Sequence, residues 1–158
     1  LDFAIHLIDL ILFLGGDVTE VFSFSKGPDA YAVSLQFANG GVGSMNLNDG
    51  RTFSVPTEEI EITVVGGNFM TIHNSSSWRI TEDGTPVEWR EPLTFISAGD
   101  SGRDTGHLAE IEAFLSAIRE GRSTRSNIYQ SYKSMVLYEA VKRSAAIRTP
   151  VTVHYQPL

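Results

Sequence analysis

Cysteine is absent from the 158 residues, which removes disulfides, thiolate chemistry and cysteine-ligated zinc together and suits a reducing cytoplasm. Cations are scarce: twelve Lys and Arg stand against nineteen Asp and Glu, for a net charge of -7, and the basic residues are scattered. That balance argues against nucleic acid and against anionic membrane surfaces as partners. Long apolar runs are missing as well. The longest, Leu10 to Leu14, is far too short to span a bilayer, and the acid-bearing start lacks the basic region of a signal peptide. Neither an internal repeat nor a low-complexity tract interrupts the chain. The expectation is a soluble, cytoplasmic protein, and 42% hydrophobic with 20% charged residues is an ordinary composition for one folded domain with its own core.

What the sequence does have is an opening stretch, LDFAIHLIDLILFLGG, in which Asp2, His6 and Asp9 interrupt an apolar run at spacings of four and three. Helical residues advance by about 100° each, so the three fall within about 60° of one another and form one polar stripe. Phe3, Ile5, Leu7, Ile8, Leu10, Ile11, Leu12 and Leu14 surround it, which predicts a helix from Asp2 to Leu14, buried on most sides and closed by Gly15 and Gly16. Two carboxylates and an imidazole in such a setting must be paired or used, and the combination suits general acid/base work. Taken from this helix alone, a core histidine with both nitrogens satisfied and an Asp2 that caps the helix explain the pattern at least as well. Asp, His and Asp at helical spacing also ligate divalent metals, but His73, His107 and His154 stand at no spacing that completes a set, so no metal is expected. Leu1 is not an initiator Met, and the helix starts without a lead-in, which predicts that the chain continues upstream.

Strand signals follow. Val18 to Ser25 alternates Phe22 and Phe24 with Ser23 and Ser25, and Tyr31 to Phe37 alternates apolar residues with Ala32, Ser34 and Gln36. Asn39-Gly40-Gly41 supplies a tight hairpin into Val42 to Leu47. Two to four further strands come from Glu59 to Val65, Asn68 to His73, Trp78 to Thr81 and Val87 to Trp89, with Pro86 and Pro92 at edges or turns. Ser97 to Gly106 reads as a loop. The period then turns helical: Leu108, Ile111, Phe114, Leu115 and Ile118 form one apolar face closed by Gly121. Ser126 or Asn127 caps a last long helix reaching about Ala146, and Pro150 precedes a strand from Val151 to Tyr155. The order predicts an α+β fold, an open, mainly antiparallel β-sheet with helices packed on one face, rather than a βαβ nucleotide fold. Val21, Tyr31 and Val42 on the second sheet face suit packing between subunits, and a homo-oligomer is expected.

Four stretches taken in order, DFAIHLIDLILFLGG, FANGGVGSMN, EIEITVVGGNFMTI and GHLAEIEAFLSAIREGR, resemble the C-terminal domain of the glucose-fructose oxidoreductase, inositol dehydrogenase and MocA (Gfo/Idh/MocA) family. The first is similar to its DxGxHxxD helix, with Ala4 in place of the glycine, and the second to its NGxxG hairpin. The resemblance covers essentially the whole chain and implies a substrate domain of the dihydrodipicolinate-reductase-like kind, a single unit over residues 1–158.

In that family an upstream Rossmann domain binds NAD or NADP, and the C-terminal domain supplies part of the substrate site and the oligomerising sheet. The resemblance therefore implies Asp2 and His6 as catalytic residues. His6 would take the proton of a substrate hydroxyl while hydride leaves the same carbon for nicotinamide, and Asp2 would orient the imidazole or bind the hydroxyl. Asp9 faces substrate on this reading, and His107 is a weaker substrate-site candidate. The chain has no GxGxxG after a strand and no Glu-Lys-Pro, so no cofactor is expected on it, and by itself it is expected to be inactive. The implied partners are a sugar or polyol, the chain's own Rossmann domain, and further copies in a homodimer or homotetramer. Two alternatives remain: a non-catalytic sheet-mediated dimerisation module, and an enzyme that uses the nicotinamide only transiently in a hydrolytic or isomerising reaction.

Overall fold

The computed structural model describes residues 4–48, 58–74, 77–90 and 106–157. In chain order its elements are α1 (Ala4–Gly15), β1 (Val18–Lys26), β2 (Ala30–Phe37), β3 (Val42–Asn48), β4 (Glu59–Val64), β5 (Asn68–His73), β6 (Ser77–Glu82), β7 (Thr85–Arg90), α2 (His107–Glu120), α3 (Ile128–Ile147) and β8 (Val151–Thr152). The α+β class and the antiparallel pairing are as the sequence predicts. The strands divide, however, into two four-stranded sheets, β3-β2-β1-β8 and β4-β5-β6-β7. Alternation assigns each strand two faces but says nothing about which strands are neighbours. The sheets belong to two compact units, Leu1–Arg51 with Arg125–Leu158, and Thr52–Thr124.

The first unit holds the main core. α3 lies against β1 and β8, and α1 packs on α3. Ile8 and Leu12 of α1, Leu137, Ala140 and Val141 of α3, and Val21, Val33, Leu35, Met45 and Val151 of the sheet form one buried cluster. A register slip between Val18 and Glu20 turns both Val18 and Val21 inward, and Tyr31 shares a face with Val33 and packs against the core, so of the residues expected on the outer face only Val42 is there. Ser23 is likewise fully buried while Phe24 is exposed, the reverse of what the apolar pattern predicts. Its partners explain this. The Ser23 hydroxyl donates to the Val141 carbonyl at 2.6 Å, and its backbone N–H donates to Ser144 Oγ at 3.0 Å, so small, satisfied polar groups let α3 sit close on β1.

In the second unit the cross-strand register places Ile60, Ile62, Met70, Ile72, Trp78 and Ile80 on one half-buried sheet face. Pro86 lies in the edge strand β7, where its missing N–H disrupts no interior ladder. Of α2 only Ala117 is buried, and the stripe Leu108, Ile111, Phe114, Leu115 and Ile118 is exposed. β8 is shorter than predicted, although the Val153 N–H still donates to the Thr19 carbonyl beyond its end. Pro92, Arg51 and most of the Ser97 to Gly106 loop lie outside the described residues. No helix among the described residues is long and apolar enough to cross a membrane.

Candidate functional site

α1 is oriented by its apolar side. Ile8 and Leu12, four residues apart, are buried, with Leu7 and Ile11 beside them against the core. The helix ends where Gly16 takes φ +83° and its N–H bonds the Leu12 carbonyl; at Gly15 a Cβ would run into the Phe37 ring. Fixing that side leaves His6 and Phe13 on the opposite face, with Phe13 61% exposed, and Asp9 exposed on the flank between them and the core. The polar stripe is thus accessible, not enclosed as the apolar surroundings predict, because α1 meets its neighbours along one side only. Asp2 lies outside the described residues, and His107 is the exposed first residue of α2 in the second unit. Of the predicted site residues, the structure brings His6 and Asp9 together.

The Asp9 carboxylate is held from α3. Ser134, itself buried, has its hydroxyl 2.7 Å from Asp9 Oδ1 and 3.1 Å from the Gln130 carbonyl. A hydroxyl has one proton, and the shorter, charge-assisted bond to the carboxylate is the stronger use of it. One oxygen of Asp9 is therefore tied to α3, at the part-buried margin of the exposed side of α1 that carries His6. Ser134 is a site residue that the sequence does not single out, since its only signal is a small polar residue on the buried side of an unplaced helix.

The C-terminal end of α1 carries two cations. Arg125 places its guanidinium carbon 5.3 Å from the centre of the Phe13 ring. Lys133 donates to both Asp17 oxygens at 2.6 and 2.9 Å, and its ammonium lies 5.1 Å from the Tyr129 ring and 5.3 Å from the Tyr155 ring. That lysine is a clamp between α3, the turn after α1 and the C-terminal segment. Its charge is already matched.

Tyr155 beside it has a hydroxyl buried without a partner in hydrogen-bond geometry. Burial pushes its phenol up to about 12 from an ordinary 10.0; the Val18 amide offsets part of this, and the Asp17 carboxylate adds to it. The unfolded chain releases this proton first. The associated stability is therefore complete below about pH 10 and is lost as the pH rises towards about 12. Tyr155→Phe is expected to be at least as stable as the parent at neutral pH and to lose less stability between those limits, read from urea midpoints on both sides of pH 10. Equal pH slopes for parent and variant would show that Tyr155 is not responsible.

Among the described residues no three His, Asp or Glu side chains group as a metal site. The sequence has no glycine-rich strand-to-helix turn, and the strand pairs among the described residues are antiparallel, so the dinucleotide cradle of a parallel β-α-β unit is not among them.

Residues 1–153 match the family model described as the C-terminal alpha/beta domain of an oxidoreductase family, GFO_IDH_MocA_C. Solved structures share the fold. A levoglucosan dehydrogenase in complex with NADH and L-sorbose is 21% identical, with a TM-score of 0.80, over 98% of this chain and 50% of its own. An oxidoreductase from Agrobacterium radiobacter in complex with NAD+, L-tartaric acid and magnesium is 19% identical, with a TM-score of 0.75, over 94% of this chain and 47% of its own. An aldose-aldose oxidoreductase from Caulobacter crescentus complexed with glycerol is 17% identical, with a TM-score of 0.72, over 95% and 46%. The chain thus spans about half the length of each of these proteins. No curated protein sequence matches it. With the family model matched over nearly its full length and the same α+β fold, the chain belongs to the Gfo/Idh/MocA oxidoreductase family as a C-terminal alpha/beta domain.

Proposed function

We propose that this chain is the substrate-binding and assembly domain of a cytoplasmic NAD(P)-dependent oxidoreductase acting on a sugar, polyol or related hydroxylated compound. The observation that carries the reading is the accessible His6 and Asp9 pair on α1, with the carboxylate fixed by Ser134, in a chain of this family. His6 accepts the proton of a substrate hydroxyl, and the free oxygen of Asp9 accepts a hydrogen bond from the same or a neighbouring hydroxyl. Asp2, one helical turn before His6 by sequence, orients the imidazole, and His107 is a lesser substrate contact. The redox half of the reaction belongs to a dinucleotide held by an upstream Rossmann domain, so this chain's part is the proton and the substrate's position. Relatives solved with NADH and L-sorbose, or with NAD+ and L-tartaric acid, support a nicotinamide cofactor and a small hydroxylated substrate.

A second role has its own observation. On the outer face of the first sheet Phe22 and Phe24 stack edge to face at 4.8 Å, Phe24 is 59% exposed, and Val42 on the same face is 79% exposed. Such a face supports sheet-to-sheet packing in a homodimer or homotetramer.

Calorimetry with NAD and NADP tests the first reading. Binding is expected to the protein extended upstream through its reading frame and not to residues 1–158 alone. If neither form binds a dinucleotide, the oxidoreductase reading fails and sheet-mediated assembly becomes the leading account.

A further inference from the structure

The stripe that carries His6 and Asp9 does not end at Asp9. Phe13 is four residues further on and shares the same face, and Arg125 covers its ring at 5.3 Å. The guanidinium is therefore held at one end of the exposed face of α1, about 10 Å along the helix axis from His6 by the rise of 1.5 Å per residue. Lys133, the other cation at this end of α1, is matched by Asp17, whereas no carboxylate pairs with Arg125 among the described residues. Attraction of the cation to the ring's quadrupole does not need its N–H groups as hydrogen-bond donors, so this contact leaves them available. In a chain with net charge -7, an arginine with no carboxylate partner among the described residues, resting on the ring at the end of a candidate substrate face, is placed to select for charge.

We propose that Arg125 is a specificity-determining residue that takes an anionic group, carboxylate or phosphate, on the end of a hydroxylated substrate whose reacting hydroxyl lies at His6. This rests on the functional reading above. A six-carbon sugar or sugar acid, with the reach of both side chains, bridges the two positions. The planar fork of donors matches either anion bidentately, and the aromatic support limits the entropy lost on binding. The substrate class is accordingly narrowed from any polyol to hydroxy acids and sugar phosphates.

D-glucose, D-glucuronate and D-glucose 6-phosphate differ only at carbon 6 and make a matched series. Titrated calorimetrically into the protein extended through its reading frame, at least one of the two anions is expected to bind about tenfold to a hundredfold tighter than D-glucose, as charge-assisted hydrogen bonds allow. Which anion wins distinguishes carboxylate from phosphate as the group read. Arg125→Gln should remove most of that ratio, Arg125→Lys should keep part of it, and added salt should shrink it. Equal affinity for all three sugars, a ratio unchanged in Arg125→Gln, or no binding of either anion overturns the proposal. The same samples titrated with NAD and NADP separate the two ideas. Dinucleotide binding without anion preference leaves the oxidoreductase reading standing and removes Arg125, whereas anion preference without dinucleotide binding keeps Arg125 as an anion contact and removes the reacting hydroxyl at His6.

Discussion

His6→Asn, introduced into a form that carries the proposed upstream dinucleotide domain, is expected to lower kcat by about two to four powers of ten, the usual contribution of a positioned general base. Asparagine keeps a hydrogen-bonding group of similar reach but accepts no proton, so substrate binding should change far less than turnover. Loss of fold does not account for such a result. His6 is exposed on α1, and substitutions at exposed positions away from caps and networks usually alter stability by less than about 0.5 kcal/mol. A thermal melt on the same sample supplies that control. Turnover retained to within threefold would leave His6 an ordinary surface residue and remove the proton-transfer role from α1. Concentration-dependent association persisting in the same variant would then favour the assembly reading.

The legible parts of this molecule are those written within a few residues of one another. Asn127 caps the last helix, its side chain accepting from the N–H groups of Tyr129 and Gln130, as a polar residue before an apolar period predicts. Gly121 ends α2 in the left-handed conformation, and Gly40 takes φ +87° in the hairpin turn. The proximity of His6 and Asp9 follows from helical period alone. What escapes the sequence is whatever depends on distant partners. Ser23 is inside because Val141 and Ser144, 118 and 121 residues away, satisfy it. Asp9 is fixed by a serine 125 residues away. The side of α1 that faces the core was equally hidden, because apolar residues occupy nearly every position outside the stripe and only packing against α3 selects Ile8 and Leu12. Arg125 gives no local sign either, since its meaning comes from Phe13.

The largest expected effect on stability lies at Leu137. It is fully buried on α3, on the same side as Ser134, Val141 and Ser144, and it belongs to the cluster that joins Ile8 and Leu12 of α1 to the sheet. Leu137→Ala removes a side chain at the junction of three layers, where neither helix can collapse inward without breaking the Ser23 and Ser134 hydrogen bonds that set its distance. The cost is expected to be about 2–5 kcal/mol, from lost transfer energy plus an unrelaxed cavity, against about 5–15 kcal/mol for a typical domain. Leu137→Met, which nearly conserves volume, should cost less than about 1.5 kcal/mol. Urea unfolding followed by methyl NMR signals of Val21 and Val33 reads the first unit, whereas Trp78 and Trp89, the two tryptophans, report on the second. If Leu137→Ala moves the methyl transition by less than about 1 kcal/mol, the α1–α3–sheet junction does not carry the core. A full-sized shift shows that this side chain carries the junction against which Ile8 and Leu12 pack, the same packing that leaves His6 on the exposed side of α1.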